Sequence, residues 1–519
     1  MTNPFATTDN ECREPHLERH FGLLSAVSLN LTMIVGSGVF LTIPLMLERI
    51  PGPYAILGWV AGALLMLCDG LVWSELGAAL PSSGGSYHFL LDSFGPKRWG
   101  RLMAFLFIWQ FMISGPLEIA TGFISMAQVS NSLDPQVKNL NKEWTKRWVV
   151  GEWQQKELAV SFGPAQFASV FLGFFILLLL YRRIASLGKW TVTFWIGVLG
   201  AIFWIIIEGG IRFNPAVAFD FPSQDEAPPD WGRGLGAAML LAMYSYLGYY
   251  HICYIGDEVT NPARILPRAV LLSALVVFLL FAGLHLAMLG TISWREVNPS
   301  MENLPAEFMR RIHPDWAARF ITICLIWSSF GSCFAALLGY SRIPFGAAQC
   351  GHFFAVLGRI HPVKHIPHVS LFLVGGLTFF WSFFDLGDVI DALVTTRIIS
   401  QFIFQIIGLL LLRKKKVRNF PFKMFLYPIP CFLALLGWSF LYLTSRGPFI
   451  VFSLAILASG GIVFLIWTKW TNSWPFLDKP APPAGDNPSK KTDSAPQMYQ
   501  ENAAPDPSVS LLPYGKKTV

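Results

Sequence analysis

Long apolar runs separated by short polar stretches occupy the chain from about residue 23 to residue 470. Each run holds about 18 residues or more, enough for one helix to cross a bilayer. Together they predict twelve spans, near 23–47, 54–79, 100–128, 164–182, 190–210, 234–256, 267–290, 317–340, 369–386, 388–412, 424–444 and 448–469. A membrane β-barrel is excluded, because its strands alternate polar with apolar residues and stay near about ten residues each. The pattern therefore predicts an all-α polytopic membrane protein.

Two of the runs soften at their centres. In "TMIVGSGVF" (32–40) the midpoint is Gly36, Ser37 and Gly38, three poor helix formers in succession. In "AMYSYLGYYHICYIGDEVTNPARILPRAV" (242–270) the soft stretch is Tyr244, Ser245, Tyr246, Leu247 and Gly248. Lipid offers no partner for a freed N–H or C=O, so irregular backbone survives at membrane depth only where it lines a cavity or is buried in protein. A half-helix N-terminus there attracts a carboxylate, and facing carbonyls attract an ammonium. The same glycines also suit a close crossing of two helices, and spacing alone leaves both readings open. Interruptions in the first and sixth spans match transporters built from two inverted five-helix repeats, with the substrate held near the midplane.

Composition agrees with the class. Of 519 residues, 53% are hydrophobic and 14% charged, against about 25% charged in soluble domains. The net charge of +7 is no sign of a nucleic-acid partner, because the basic residues cluster between the runs. Lys97, Arg98 and Arg101; Arg182, Arg183 and Lys189; Arg264 and Arg268; and Arg413, Lys414, Lys415, Lys416 and Arg418 all fall on one side. That side is expected to be cytoplasmic, which places both termini inside a plasma (inner) membrane. The seven cysteines show no CxxC pair, so neither a disulfide framework nor a zinc site is expected. The first 20 residues lack a signal-peptide pattern, and the first span is expected to anchor itself. Three segments result: a cytoplasmic 1–20, a permease domain 21–470, and a disordered cytoplasmic tail 471–519 rich in Pro, Ser, Asn and Lys.

Several motifs carry a family resemblance. "IVGSGVF" (34–40), "SELGAALPSSGGSYHFL" (74–90), "GDEVTNPARILPRAV" (256–270), "FGSCFAALLGYSRIPFGAAQCG" (330–351) and "IHPVKHIPHVSL" (360–371) follow one another. In that order they resemble the amino acid–polyamine–organocation (APC) superfamily, and within it the L-type amino acid transporters. The resemblance covers about residues 20–470. It implies a LeuT-like fold of twelve helices in inverted repeats, with broken first and sixth helices and alternating access. It also implies that Ile34, Gly36, Ser37 and Gly38 form a first-helix substrate clamp, and that Tyr244 closes over bound substrate. Ser245 and Leu247 would present backbone to the substrate, Tyr250 would form a polar wall, and Glu258, Asn261, Pro262 and Arg264 would fix an inner loop. Two departures matter. Proton-coupled members often carry a lysine in the fifth span, but residues 190–208 hold none and Val198 falls near its place. The mammalian light chains use an outer-loop cysteine to join a glycoprotein, but residues 129–163 hold none, so no disulfide-linked heavy chain is expected.

Asp69 and Glu118 lie within spans, where ionisable groups are costly and commonly functional. Each is a candidate charge or proton site, or a neutral, hydrogen-bonded group. Glu75 suggests a structural role, and Arg397 requires a carboxylate, with Asp391 a candidate. His361, His365 and His368 are interrupted by Pro362 and Pro367, and no metal or other cofactor is expected. Neither HExxH nor GxSxG occurs, which argues against an intramembrane enzyme; a sensor would bring a folded soluble domain. The expected activity is secondary transport of amino acids, by exchange or facilitated flux. The aromatic wall around residues 244–250 favours neutral side chains. The alternative is a polyamine or cationic amino acid permease, with or without proton coupling, should Asp69 or Glu118 reach the pocket ionised.

Overall fold

The computed structural model describes residue 19 and residues 21–36, 38–81, 84–153, 156–181, 187–226, 230–297, 301, 303–362, 364, 366–415 and 420–471. The chain divides into two units, Met1–Pro480 and Ala481–Val519, and all described residues belong to the first. Ser37, most of segment 1–20 and the tail from 472 lie outside the described residues, as do Arg182, Arg183, His365, Lys416 and Arg418.

The first apolar run forms two helices, α1 (Leu23–Ile34) and α2 (Gly38–Arg49), whose axes bend by 52° at the glycines. Next come α3 (Ala55–Ala79), the short α4 (Ser86–Phe94) and the long α5 (Gly100–Ser130). The following loop is structured: α6 (Pro135–Trp144), capped by the Asp134 carboxylate on the Gln136 N–H at 2.8 Å, leads into a hairpin of β1 (Lys146–Trp153) and β2 (Lys156–Phe162). The strands are antiparallel, Lys146 opposite Phe162 and Trp153 opposite Lys156, with a register shift between Val149 and Gly151. Then follow α7 (Pro164–Tyr181), α8 (Leu187–Ile211), the single turn α9 (Pro215–Ala218) and α10 (Trp231–Tyr246). Beyond α10 the chain makes only short 3₁₀ turns at 251–254 and 256–258 before α11 (Pro262–Leu289). The remainder is α12 (Leu304–Ile312), α13 (Asp315–Tyr340), α14 (Arg342–Gln349), α15 (His368–Trp381), α16 (Leu386–Arg397), a π-helical turn at 398–403, α17 (Phe404–Lys415), α18 (Ile429–Thr444) and α19 (Gly447–Trp470).

Among the described residues, seven helices are long and apolar enough to cross a membrane, and eight if the bent pair α1–α2 counts as one span. Three further apolar helices, at 197–211, 368–381 and 429–444, are shorter. The surface has the chemistry of a lipid-facing one. Phe167, Phe171, Phe174 and Leu178 are all exposed and recur at helical spacing along α7.

The core is built around α3, which packs on α10, α11 and α18. Trp59 and Trp73 of α3 are fully buried, and the Trp59 indole N–H donates to His285 Nδ1 of α11 at 2.8 Å. Near the end of α3, Glu75 accepts from Arg413 Nε and Nη2 at 2.5 and 2.6 Å and from the Met424 N–H at 2.9 Å. A charge-assisted fork of this kind fastens α17 and the segment after it to α3, the structural role expected for Glu75. At the other side of the break sequence, the Phe21 N–H donates to the Glu258 carbonyl at 3.1 Å and the Thr260 N–H to the Phe21 carbonyl at 3.2 Å. The segment ahead of α1 is thereby paired with the loop after the sixth run. One expectation fails: Cys350 is disulfide-bonded. The cysteine spacings of the sequence hold no signature that marks Cys350 for pairing.

Candidate functional site

The helix α1 ends because Val35 turns to extended backbone (φ −81°, ψ 95°). Gly36 and Gly38 then allow neighbours to approach closely. A Cβ at Gly36 would stand 3.1 Å from Ser332 Oγ on α13, and one at Gly38 would stand 3.2 Å from the Tyr244 ring on α10. The second interruption lies slightly later than the sequence suggests. Tyr244, Ser245 and Tyr246 remain helical, and the helix stops where Leu247 becomes extended (φ −52°, ψ 137°). Gly248 has φ +111° and packs on the backbone of Met33 and Ile34, so a side chain there would be both strained and crowded. The two breaks therefore touch.

Asn30 joins them. Its amide nitrogen donates to the Tyr249 carbonyl at 2.8 Å and to Ser273 Oγ at 3.2 Å, while its oxygen accepts from the Ile252 N–H at 2.9 Å. A fully buried side chain on α1 thus satisfies backbone groups freed in the second break. Nothing in the sequence around Asn30 signals this role.

Between the breaks lies a cavity of about 110 Å³. Ile34, Gly36, Gly38, Tyr244, Ser245 and Leu247 line it, together with α5, α8 and α13. Ser37 lies outside the described residues. Tyr250 is not part of the lining: its ring stacks on Trp73 at 4.2 Å and 12°, buried in the core. Val198, near the place of a family lysine, does line the cavity. The remaining polar lining is chiefly hydroxyl groups that pair locally. Tyr244 Oη donates to Thr121 Oγ1 at 2.8 Å, Ser125 Oγ is 3.1 Å from Ser329 Oγ, and Ser245 Oγ is 3.1 Å from Thr42 Oγ1.

Glu118 is the cavity's single charged lining residue among the described residues. Arg397 Nη2 lies 2.6 Å from its Oε2, and the Tyr340 hydroxyl donates to the same oxygen at 2.7 Å. Arg397 is fully buried and also donates from Nε to Ser114 Oγ at 3.1 Å. The carboxylate expected for Arg397 is therefore Glu118. Asp391 instead lies 2.6 Å from Arg446 Nε and 3.6 Å from Arg49, because it sits more than a turn away along α16 and faces other helices. Asp69 does not reach the cavity; it is buried on α3 and accepts from the Tyr249 hydroxyl.

Residues 21–470 match the sequence profile of a family described as amino acid permease. The chain belongs to the amino acid permease family. The permease is 25% identical to the serine/threonine exchanger SteT of Bacillus subtilis, over 83% of this chain and 91% of that protein. It is 26% identical to the human cystine/glutamate transporter, over 87% of this chain and 86% of the other. It is also 26% identical to the human Asc-type amino acid transporter 1, over 88% of this chain and 83% of that one. The permease thus resembles amino acid exchangers and transporters along almost its entire membrane part.

Proposed function

We propose that the permease exchanges neutral amino acids across the plasma membrane by alternating access, with both termini cytoplasmic. The seven full-length spans, the bent pair, the three shorter apolar helices and α10 make the twelve spans of this reading. The contact between the two breaks is what an inverted-repeat transporter requires at its midplane. In this scheme the first free N–H groups of α2 take the substrate carboxylate and the last carbonyls of α1 take the ammonium. Tyr244, lying over Gly38, covers the bound molecule. The activity is transport and needs no bond-making step.

The observation that carries the choice of substrate is the Glu118–Arg397 pair. A cationic side chain in the cavity would need a free carboxylate, and an anionic one a free guanidinium. Both charges are already engaged with each other, and an uncompensated charge away from water costs several kcal/mol. Neutral side chains meet no such cost. The relatives named above differ in their named substrates, so they support amino acid exchange without selecting a side chain. The cationic or polyamine alternative loses its main support with Glu118 so engaged and Asp69 outside the cavity. Residues 129–163 contain no cysteine, and a disulfide-linked heavy chain forms no part of this proposal.

The test is uptake into proteoliposomes of one labelled neutral amino acid, with and without unlabelled amino acid inside. Leucine, phenylalanine, arginine and spermidine compete in turn. Trans-stimulation and competition by neutral amino acids are expected. Competition led by arginine or spermidine would overturn the choice.

A further inference from the structure

The Asp69 carboxyl is only 1% exposed. Its partner in hydrogen bonding is the hydroxyl of Tyr249, itself fully buried. The indole N–H groups of Trp73 on α3 and Trp438 on α18 face the same carboxyl, and neither closes a hydrogen bond. The other titratable groups around it are Tyr250 in the break, Cys68 on its own helix and Cys431 on α18. Among the described residues, no lysine, arginine or histidine faces it. Glu118, by contrast, has its own cation. Asp69 is therefore a carboxyl placed among donors, with no opposite charge to hold it ionised, and a proton can neutralise it in place.

Among the described residues, its hydrogen bond runs to the segment of the second break. Tyr249 lies in the irregular segment between α10 and the 3₁₀ turn, two residues after Leu247 in the cavity wall. The Tyr249 carbonyl is held by Asn30 of α1. The hydroxyl end of Tyr249 is thus anchored to α3, and its backbone end to α1.

We infer that Asp69 is a regulatory proton site that sets how firmly the second break is held, resting on the proposal that this break gates amino acid exchange. Ionised, the carboxylate takes a charge-assisted hydrogen bond from Tyr249 and fixes the segment to α3. On binding one proton the carboxyl becomes neutral, that bond weakens, and the segment is released. No bond between heavy atoms changes, and the proton stays on Asp69. The site is off the cavity, so the proton is bound without being carried with the substrate.

Two measurements on the full chain test this. In proteoliposomes at equal pH on both sides, exchange of a labelled neutral amino acid is expected to rise several-fold on acidification through one titration. Asp69→Asn should exchange at the parent's acidic level at every pH, and Tyr249→Phe should do the same. Exchange in the parent that ignores pH, or in Asp69→Asn that still follows it, overturns the inference. The second measurement is an infrared titration of the substrate-free protein. A protonated-carboxyl band should grow on acidification in the parent and be missing from Asp69→Asn; Tyr249→Phe should keep the band with a shifted midpoint. Loss of no band in Asp69→Asn overturns the proton site even if that variant transports poorly. Since the infrared titration needs no substrate, failure of the amino acid assignment would show in the uptake alone and remain distinguishable.

Discussion

Arg397 Nη2 stands 2.6 Å from Glu118 Oε2, joining α16 to α5 beside the cavity. Breaking a buried pair from one side leaves the other charge uncompensated, at about 3–5 kcal/mol. Arg397→Gln should therefore lower thermal stability and leave Glu118 facing the cavity without its cation. The variant that folds should be inhibited more strongly by arginine than the parent is, while Glu118→Gln should show no such gain. Competition uptake with thermal unfolding in detergent checks both, and an unchanged arginine profile in Arg397→Gln would remove the pair from substrate selection.

The first break should reject side chains. Gly36→Val and Gly38→Val would drive branched carbons toward Ser332 and the Tyr244 ring, where even one Cβ stands at 3.1 and 3.2 Å. Normal membrane insertion with uptake reduced to background is expected. Vesicle yield and uptake measured side by side report the two effects separately, and full transport by both variants would refute the clamp.

Tyr244 offers a finer distinction. Tyr244→Phe keeps the ring over Gly38 and loses the 2.8 Å bond to Thr121, worth about 1 kcal/mol. Tyr244→Ala loses the cover itself. Phe should retain most uptake and Ala little, with KM raised in both, because closure excludes water and commits the substrate. Equal activity of parent and Ala would argue against a lid.

Much of this was legible in the residues, and the illegible parts have physical causes. The apolar runs exposed the membrane helices because lipid punishes polarity continuously along a span. Gly36 and Gly38 marked the first break only together with the family resemblance, since the same glycines also suit a close helix crossing. The second break was harder: Tyr244–Gly248 looked soft, but packing keeps Tyr244–Tyr246 helical and moves the irregular segment onto Gly248 and beyond. Tyr250 carries a polar group that suits a pocket wall, yet its ring is taken by Trp73. Asn30 reaches Tyr249 across 219 residues of chain, and Glu118 and Arg397 are far apart in sequence on α5 and α16; such separations leave no periodic trace. The hairpin β1–β2 was missed because its polar, charged strands read as loop once the surrounding signal is hydrophobicity.

Exchange should not need a proton gradient. Val198 lies in the cavity wall where a lysine would serve proton coupling, and α8 carries no lysine from residue 190 onward. At steady state, vesicles with an imposed pH difference should hold no more labelled amino acid than vesicles without one, however fast that level is reached. Gradient-driven accumulation that persists in both Asp69→Asn and Glu118→Gln would show a coupling site elsewhere.

Acid should loosen one contact outside the membrane. His352, in the loop after α14, shares a hydrogen bond with Tyr87 of α4. Burial, aided by the nearby charges of Arg101 and His88, pushes its imidazole from the ordinary 6.5 down to about 4. The folded chain therefore holds His352 neutral where the unfolded chain would already take a proton. Its contribution to stability is complete above pH 6.5 and is lost as pH falls toward about 4. His352→Gln should flatten that part of the stability profile, measured by thermal unfolding across the same range.

The pairing of Phe21 with the loop at Glu258–Thr260 has a mechanical consequence. Two backbone hydrogen bonds couple the entry to α1 with the exit from the second break. These paired ends of the two interrupted spans then form one lever, and tension on the chain at Phe21 is transmitted to both walls of the cavity at once. A partner that grips this stretch would act as a brake on exchange without ever competing with the substrate.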